Sequence, residues 1–378
     1  METTHKPRTI MLAIYDLSLG GAQRVMSVMA DYWVEKGWQV KLLTIAKRET
    51  DFYTVDDRVE RIVLNMDKES NSFINGLVNN YQRVRVLRKT IKQHQPECII
   101  SFIDIMNTQM LLAVLGTKTP IIVSERINPN HHSIGALWSK IRQWVYPYTS
   151  LLVMQSDDVV EDWAKKRVAE DKIAVIHNPV WINDALADVE NTTISLPDSF
   201  LIFAMGRLHE QKGFDVLIKA FKQSGLAEKN AHLVILGEGD LRHSLEMLII
   251  EQQLTDHVHL PGRVSNSQAV VKKADIFVLS SRFEGFPNVL VEAMALGRAV
   301  ISTNCPSGPN MIIEPEENGI LIEVNDIDAL SREIVALFHD EEKRKRLGKN
   351  AIAVRERFSV AEVMSQWEDA IEQVVDVT

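Results

Sequence analysis

Short apolar runs alternate with longer amphipathic stretches along all 378 residues of this chain. That alternation admits few folds, because parallel strands joined by helices are the arrangement that buries such runs on both faces of a sheet. In the first half the runs TIMLAI, QVKLLTI, ECIISFI, PIIVSE, SLLVMQ and KIAVIH read as strands, with helices near 22–35, 78–94, 104–115, 135–147 and 157–168. In the second half FLIFAMG, AHLVILGEG, HVHLPG, ADIFVLSS, RAVIST and GILIEV play the same part. The expected class is α/β, with two Rossmann-like doubly wound domains. Ligands of such sheets sit beyond the carboxyl ends of the strands, and two sheets facing each other would share one cleft. The stretch 177–199, HNPVWINDALADVENTTISLPDS, has two prolines and no sustained periodicity, so the boundary is expected there.

Composition removes several alternatives. Cys98 and Cys305 are the only cysteines, which excludes a disulfide framework and points to a reducing compartment. The leading METTHKPRTIMLAIYD breaks its apolar run at Tyr15 and Asp16, and reads as a first strand rather than a signal peptide. No run of about 18 apolar residues is present, so no spanning helix is expected. Formal net charge is −9, distributed unevenly: residues 1–180 hold 23 Lys/Arg against 20 Asp/Glu, the remainder 19 against 31. That balance disfavours nucleic acid as a partner but leaves one basic face for an anionic surface or a phosphorylated ligand.

The chemistry concentrates in a few turns. In LGGAQRVMSVMA, Gly20 and Gly21 end a strand and open a helix, which lets backbone approach an anion. The third glycine of a dinucleotide fingerprint is missing, so a nicotinamide cofactor is disfavoured. In MGRLHEQKGFDVLIKAF, a strand delivers Gly206, Arg207 and Lys212 into one loop, a cation pair suited to a diphosphate. In SSRFEGFPNVLVEAMALG, Glu284 falls in a loop, Pro287 suits the first turn of a helix that the amides of Gly285, Phe286 and neighbouring Asn288 open, and Glu292 lies a turn beyond its start. A helix N-terminus between two carboxylates suits a phosphate flanked by hydroxylated sugars. The triplet DID, 326–328, matches the carboxylate motif of metal-dependent sugar transfer, but it precedes DALSREIVALF, where an aspartate cap is expected.

These stretches together, GRLHEQKG, FEGFPNVLVEAMALG and SGPNMIIEPEENGILIEVND, resemble the donor domain of the retaining GT-B glycosyltransferases of family four. GGAQR resembles that family's N-terminal glycine loop and HNPV its hinge, so the likeness spans nearly the whole chain. It implies an acceptor-binding domain over 1–178, joined by a crossing helix in 358–378, and a nucleotide-sugar domain over 179–357. It implies transfer of a hexose or N-acetylhexosamine from a UDP-sugar to a saccharide or lipid-linked oligosaccharide, in cell-surface polysaccharide assembly, without a metal or other cofactor. Arg207 and Lys212 would neutralise the leaving diphosphate and Glu284 would hold the transferred sugar. Glu292 would hold the ribose, and Gly262, Arg263 and Val264 would receive the base. The alternatives are a GT-B epimerase or a non-catalytic nucleotide-sugar-binding partner. Two departures stand out: Arg126 occupies a place where the family often has histidine, and Gln23 one where glutamate is frequent.

On the acceptor side the candidates are Asp104, Asn107, Glu125 and Arg126, at expected strand ends. Trp138, Trp144, Tyr146 and Tyr148 interleave with Lys140 and Arg142, and Arg83, Arg85, Arg88, Lys89 and Lys92 lie upstream. Basic and amphipathic aromatic residues in that mixture suit a membrane interface, giving an expected place in the cytoplasm, peripheral to the inner membrane.

Overall fold

In the first unit, the apolar runs form parallel strands β1 (Thr9–Ile14), β2 (Gln39–Thr44), β3 (Glu60–Val63), β4 (Cys98–Phe102), β5 (Ile121–Ser124), β6 (Leu151–Met154) and β7 (Ile173–Val175). Their order is β3-β2-β1-β4-β5-β6-β7. The order reverses between β1 and β4, where Ile10 pairs with Cys98 and Ala13 with Ser101. The computed structural model describes residues 7–68, 72–187, 194 and 196–376. It divides into Met1–Pro179 with Ala361–Thr378, and Val180–Val360. Of the expected linker, 188–193 and 195 lie outside the described residues, as do 1–6 of the leading segment.

Helices α1 (Gly21–Glu35), α2 (Phe73–His94), α3 (Asp104–Val114) and α4 (Ala136–Val145) connect these strands. Met11, Ala13, Leu43, Leu87, Ile91, Met110, Val123 and Val145 share one core, so α2, α3 and α4 cover the same face of the sheet. Two expectations fail locally. Strand β3 was not expected: ERIV has no apolar run, because an edge strand is only half-buried and keeps Glu60 and Arg61 on its rim. The helix expected over 157–168 is a single α turn, Asp157–Val159, followed by a wider π turn, Val160–Ala164. Trp163 is buried there under the Arg142 and Arg167 guanidiniums, 4.9 and 4.3 Å from its ring centroid.

The closing helix Val360–Val375 belongs to this first unit. Buried Glu368 accepts from Trp33 Nε1 at 3.1 Å and Lys36 Nζ at 2.8 Å, and buried Trp367 packs on Phe102 with centroids 5.9 Å apart. A carboxylate at that depth persists only because both contacts replace its water.

The second unit has parallel strands β8 (Phe200–Met205), β9 (Ala231–Leu236), β10 (Val258–Gly262), β11 (Ile276–Leu279), β12 (Ala299–Thr303) and β13 (Ile320–Ile322), in the order β10-β9-β8-β11-β12-β13. Its order reverses between β8 and β11, where Ile202 pairs with Ile276. Core residues lie on both faces, with Ile202, Leu233 and Ile276 on one and Phe203, Val234 and Phe277 on the other.

Candidate active site

The turn after β8 and the loop after β11 meet at the second unit's reversal point. Lys212 Nζ donates to Glu284 Oε1 at 2.6 Å, and Ser281 Oγ donates to the same oxygen at 2.6 Å. Glu284 is buried, and its amide donates to Pro306 O. The Lys212 side chain lies across Gly206, where a Cβ would come within 3.0 Å of Lys212 Cε. Gly213 follows with φ +62°, so close to the neighbouring strand end that a Cβ would lie 2.1 Å from Ser280 O. Arg207 is exposed, and its side chain has no hydrogen-bond or ion-pair partner among the described residues. One lysine is thus already paired and one arginine is available to an incoming anion.

The loops are tied by a residue that the sequence reading left without a role. Arg282 binds Asp215 at 3.0 and 2.9 Å and donates from Nη1 to Glu210 O, while its amide donates to Gln211 O. That bidentate pair holds Asp215 below the ordinary carboxylate range, against the opposing effect of burial. Gln211 Nε2 reaches Phe283 O at 2.9 Å and Glu284 Oε2 at 3.5 Å. Burial, reinforced by nearby Glu284, pushes the Cys305 thiol up to about 12, so it remains a neutral thiol rather than a reactive thiolate.

The helix after Glu284 runs Asn288–Ala295, and Gly297 closes it with φ +72°. Pro287 precedes the first helical residue. The Gly285 amide has no partner among the described residues, whereas that of Asn288 donates to Phe286 O at 2.9 Å. Glu292 is buried in the second turn. Beside β8, the loops after β9 and β10 are locked by Gly237 N donating to Gly262 O at 2.9 Å. Arg242 bridges Glu238 and Leu260 O below Gly262, while Arg263 is exposed and Val264 half-buried. In the DID triplet, Asp326 caps a helix by accepting from Ala329 N at 2.8 Å, and Asp328 accepts from Gln223 at 2.7 Å.

The remaining candidates lie in the first unit. Gly20 is extended at the start of α1, and a Cβ there would lie 2.3 Å from Gln23 Oε1. Gln23 Nε2 donates to Asp16 Oδ1 at 3.1 Å, a bond glutamate could not make while ionised. Asp104, Asn107 and Glu125 gather at the ends of β4 and β5. Asn107 Nδ2 donates to Ser124 O at 2.9 Å, and the Tyr146 hydroxyl donates to Glu125 Oε1. Burial, then the charge of Asp104, pushes Glu125 up to about 7 against the opposing Arg142. Arg126 turns elsewhere: its guanidinium stacks 3.5 Å over Phe102, faces Trp367, and donates to Asn178 at 2.6 Å. Tyr146 and Arg142, expected at a membrane-facing surface, are instead buried, because they carry the Glu125 network.

A family model described as Glycosyltransferase Family 4 matches residues 19–183, and one described as Glycosyl transferases group 1 matches residues 191–354. The chain belongs to the glycosyltransferases of family four. A Campylobacter jejuni enzyme named GalNAc-alpha-(1->4)-GalNAc-alpha-(1->3)-diNAcBac-PP-undecaprenol alpha-1,4-N-acetyl-D-galactosaminyltransferase is 28% identical over 372 residues, covering 97% of this chain and 98% of that one. A glycosyltransferase structure from Rickettsia africae matches with TM-score 0.80 at 19% identity, over 99% and 100% of the two chains. That of Anabaena HepE with UDP and glucose matches at 0.80 and 16%, over 97% and 99%. Both are likenesses of fold, and this glycosyltransferase has the two parallel-sheet units of the GT-B class.

The partnerships within the glycosyltransferase that the sequence reading missed share one trait. Arg282 and Asp215, His132 and Asp104, and Tyr146 and Glu125 pair across 67, 28 and 21 positions. None of these pairs has a local spacing signal; only the repeated imidazole of HH at 131–132, just before α4, hints at one.

Proposed function

We propose that this glycosyltransferase moves an N-acetylhexosamine or hexose from a UDP-sugar to a lipid-linked saccharide, retaining the anomeric configuration and requiring no metal. The observation that carries the reading is the Lys212–Glu284 contact at 2.6 Å, with partnerless Arg207 on the same loop. Departure of a nucleoside diphosphate builds negative charge on phosphate oxygens, and fixed cations with the Gly285 amide stabilise that charge selectively. Those cations supply what a divalent ion would supply elsewhere. Glu284, held by Lys212 and Ser281, is a ready acceptor for hydroxyls of the transferred sugar, and Glu292 for the ribose. The C. jejuni relative's name specifies an undecaprenol-linked substrate and an α linkage, which supports the lipid-linked acceptor and, given α-linked nucleotide sugars, retention. The UDP and glucose bound to HepE support the donor class.

Calorimetric titration with UDP, GDP and ADP, with and without EDTA, tests the donor site. UDP is expected to bind equally with the chelator present, and about 10- to 100-fold more weakly in Arg207→Ala. Binding that vanishes with EDTA, or an Arg207→Ala variant that binds like wild type, contradicts the assignment.

The reading extends to a peripheral contact with an anionic membrane. Along α2, exposed Ile74, Leu77, Val78 and Tyr81 lead at helical spacing into exposed Arg85, Lys89 and Lys92. Exposed Leu137, Trp144 and Tyr148 and Lys140 lie in or just after α4, on the same side of the sheet. An apolar stripe continued by cations suits the boundary of an anionic bilayer. No helix among the described residues is long and apolar enough to cross a membrane. Vesicles containing phosphatidylglycerol should float the protein at low salt and release it on the order of 0.5 M salt, and Leu77→Asp should weaken flotation about tenfold. Flotation indifferent to salt and to this substitution would remove the membrane from the proposal.

A further inference from the structure

At the first unit's reversal point, His132 is built into a pair that none of the preceding chemistry uses. Its Nδ1 lies 2.8 Å from Oδ2 of Asp104, a carboxylate only 3% exposed whose Oδ1 accepts from Ile105 N. The imidazole itself is 44% exposed, and its Nε2 has no partner among the described residues. The buried carboxylate fixes the tautomer: Nδ1 carries the proton, and Nε2 presents a lone pair outward. Ring and carboxylate both lie just beyond the carboxyl ends of β4 and β5, the edge where parallel sheets of this kind receive ligands. A histidine serving stability alone would have no need of an outward acceptor oriented by a buried charge.

We propose that His132 Nε2 accepts a hydrogen bond from a hydroxyl of the acceptor saccharide and positions it for attack, with Asp104 as the residue that orients the ring. This deepens, and rests on, the transfer reaction proposed above. The hydroxyl proton need not pass to His132, since the departing phosphate oxygen can receive it; the histidine's part is orientation. The groups facing the ring are Asp104 at the start of α3, Glu125 after β5 and Arg142 on α4. Asp104, through its hydrogen bond, raises the imidazole above its ordinary value, and partial burial opposes it. Nε2 therefore stays protonated, and unable to accept, to a higher pH than in a free histidine.

The test separates acceptor chemistry from donor chemistry. Wild type, His132→Phe, His132→Gln and Asp104→Asn are assayed with UDP-GalNAc, UDP-GlcNAc, UDP-glucose and UDP-galactose. Each donor is followed both for transfer to polyprenyl-diphosphate-linked N-acetylhexosaminides and for hydrolysis without acceptor. His132→Phe is expected to lower acceptor kcat/KM about 10- to 100-fold while donor hydrolysis and UDP affinity stay within twofold. In wild type, acceptor kcat/KM should fall as pH drops through the raised imidazole value. His132→Gln, which still offers an oxygen acceptor, should recover part of the rate and lose that acidic limb. Asp104→Asn should shift the limb to lower pH. An unchanged acceptor kcat/KM in His132→Phe overturns the inference, as does a parallel loss of hydrolysis and UDP affinity, which would mark a merely structural role. Wild type that neither hydrolyses nor transfers any of the four donors overturns the donor reading, and this inference with it.

Discussion

Glu284→Ala is expected to lower transfer on the order of 10³-fold while leaving a folded protein that still binds UDP. The argument rests on what the carboxylate touches. Oε1 receives Lys212 Nζ and Ser281 Oγ, both at 2.6 Å, and the side chain is 4% exposed. Truncation removes the group proposed to hold the sugar and leaves a buried serine hydroxyl without its acceptor, at about 1–3 kcal/mol. Lys212, no longer held by Glu284, is released to the diphosphate, so UDP affinity should hold or rise. Glu284→Gln should fall between, since its amide oxygen still accepts from both donors but carries no charge. Initial transfer rates and UDP titration on the same preparations check both halves. Transfer within tenfold of wild type in Glu284→Ala would remove the residue from the site, whereas loss of UDP binding would place it with the diphosphate instead.

The fold was legible because burial on two sheet faces demands apolar runs, and every strand buried on both faces has one. Strand β3 escaped because an edge strand needs no such run. The donor loops were legible for a related reason: glycines, cations and carboxylates at a strand-to-helix turn have few purely structural uses in combination. What could not be read was partnership. Lys212 and Glu284 were expected to serve different parts of a ligand, and their direct contact spans 72 positions. The aromatic and basic run in and after α4 was misread in part: Trp144 is 58% exposed, whereas Tyr146 is fully buried under Glu125. Helical spacing places these two residues on different sides of the chain, but the buried carboxylate that claims one of them comes from β5.

The second large effect is expected from Gly213→Ala, which should destabilise the protein by about 3 kcal/mol or more and nearly abolish transfer. Gly213 has φ +62°, which alone would cost an alanine about 1 kcal/mol. Gly37 provides the reference: its φ is +82°, but a Cβ there meets nothing within 4 Å. At Gly213 the same atom would lie 2.1 Å from Ser280 O, a backbone oxygen at the end of β11 rather than a side chain able to turn away. Relief requires separating the 210–213 turn from the 280–284 loop. Ser280 Oγ donates to Lys212 O at 2.8 Å and Arg282 N to Gln211 O at 2.7 Å, so separation breaks the contacts that place Lys212 against Glu284. Urea unfolding of the two variants in parallel isolates the steric part, because the φ penalty is common to both. If Gly213→Ala were within about 1 kcal/mol of Gly37→Ala and kept its activity, the two loops would not be held in contact as the structure places them, and the site would be more pliable than the Lys212–Glu284 geometry requires.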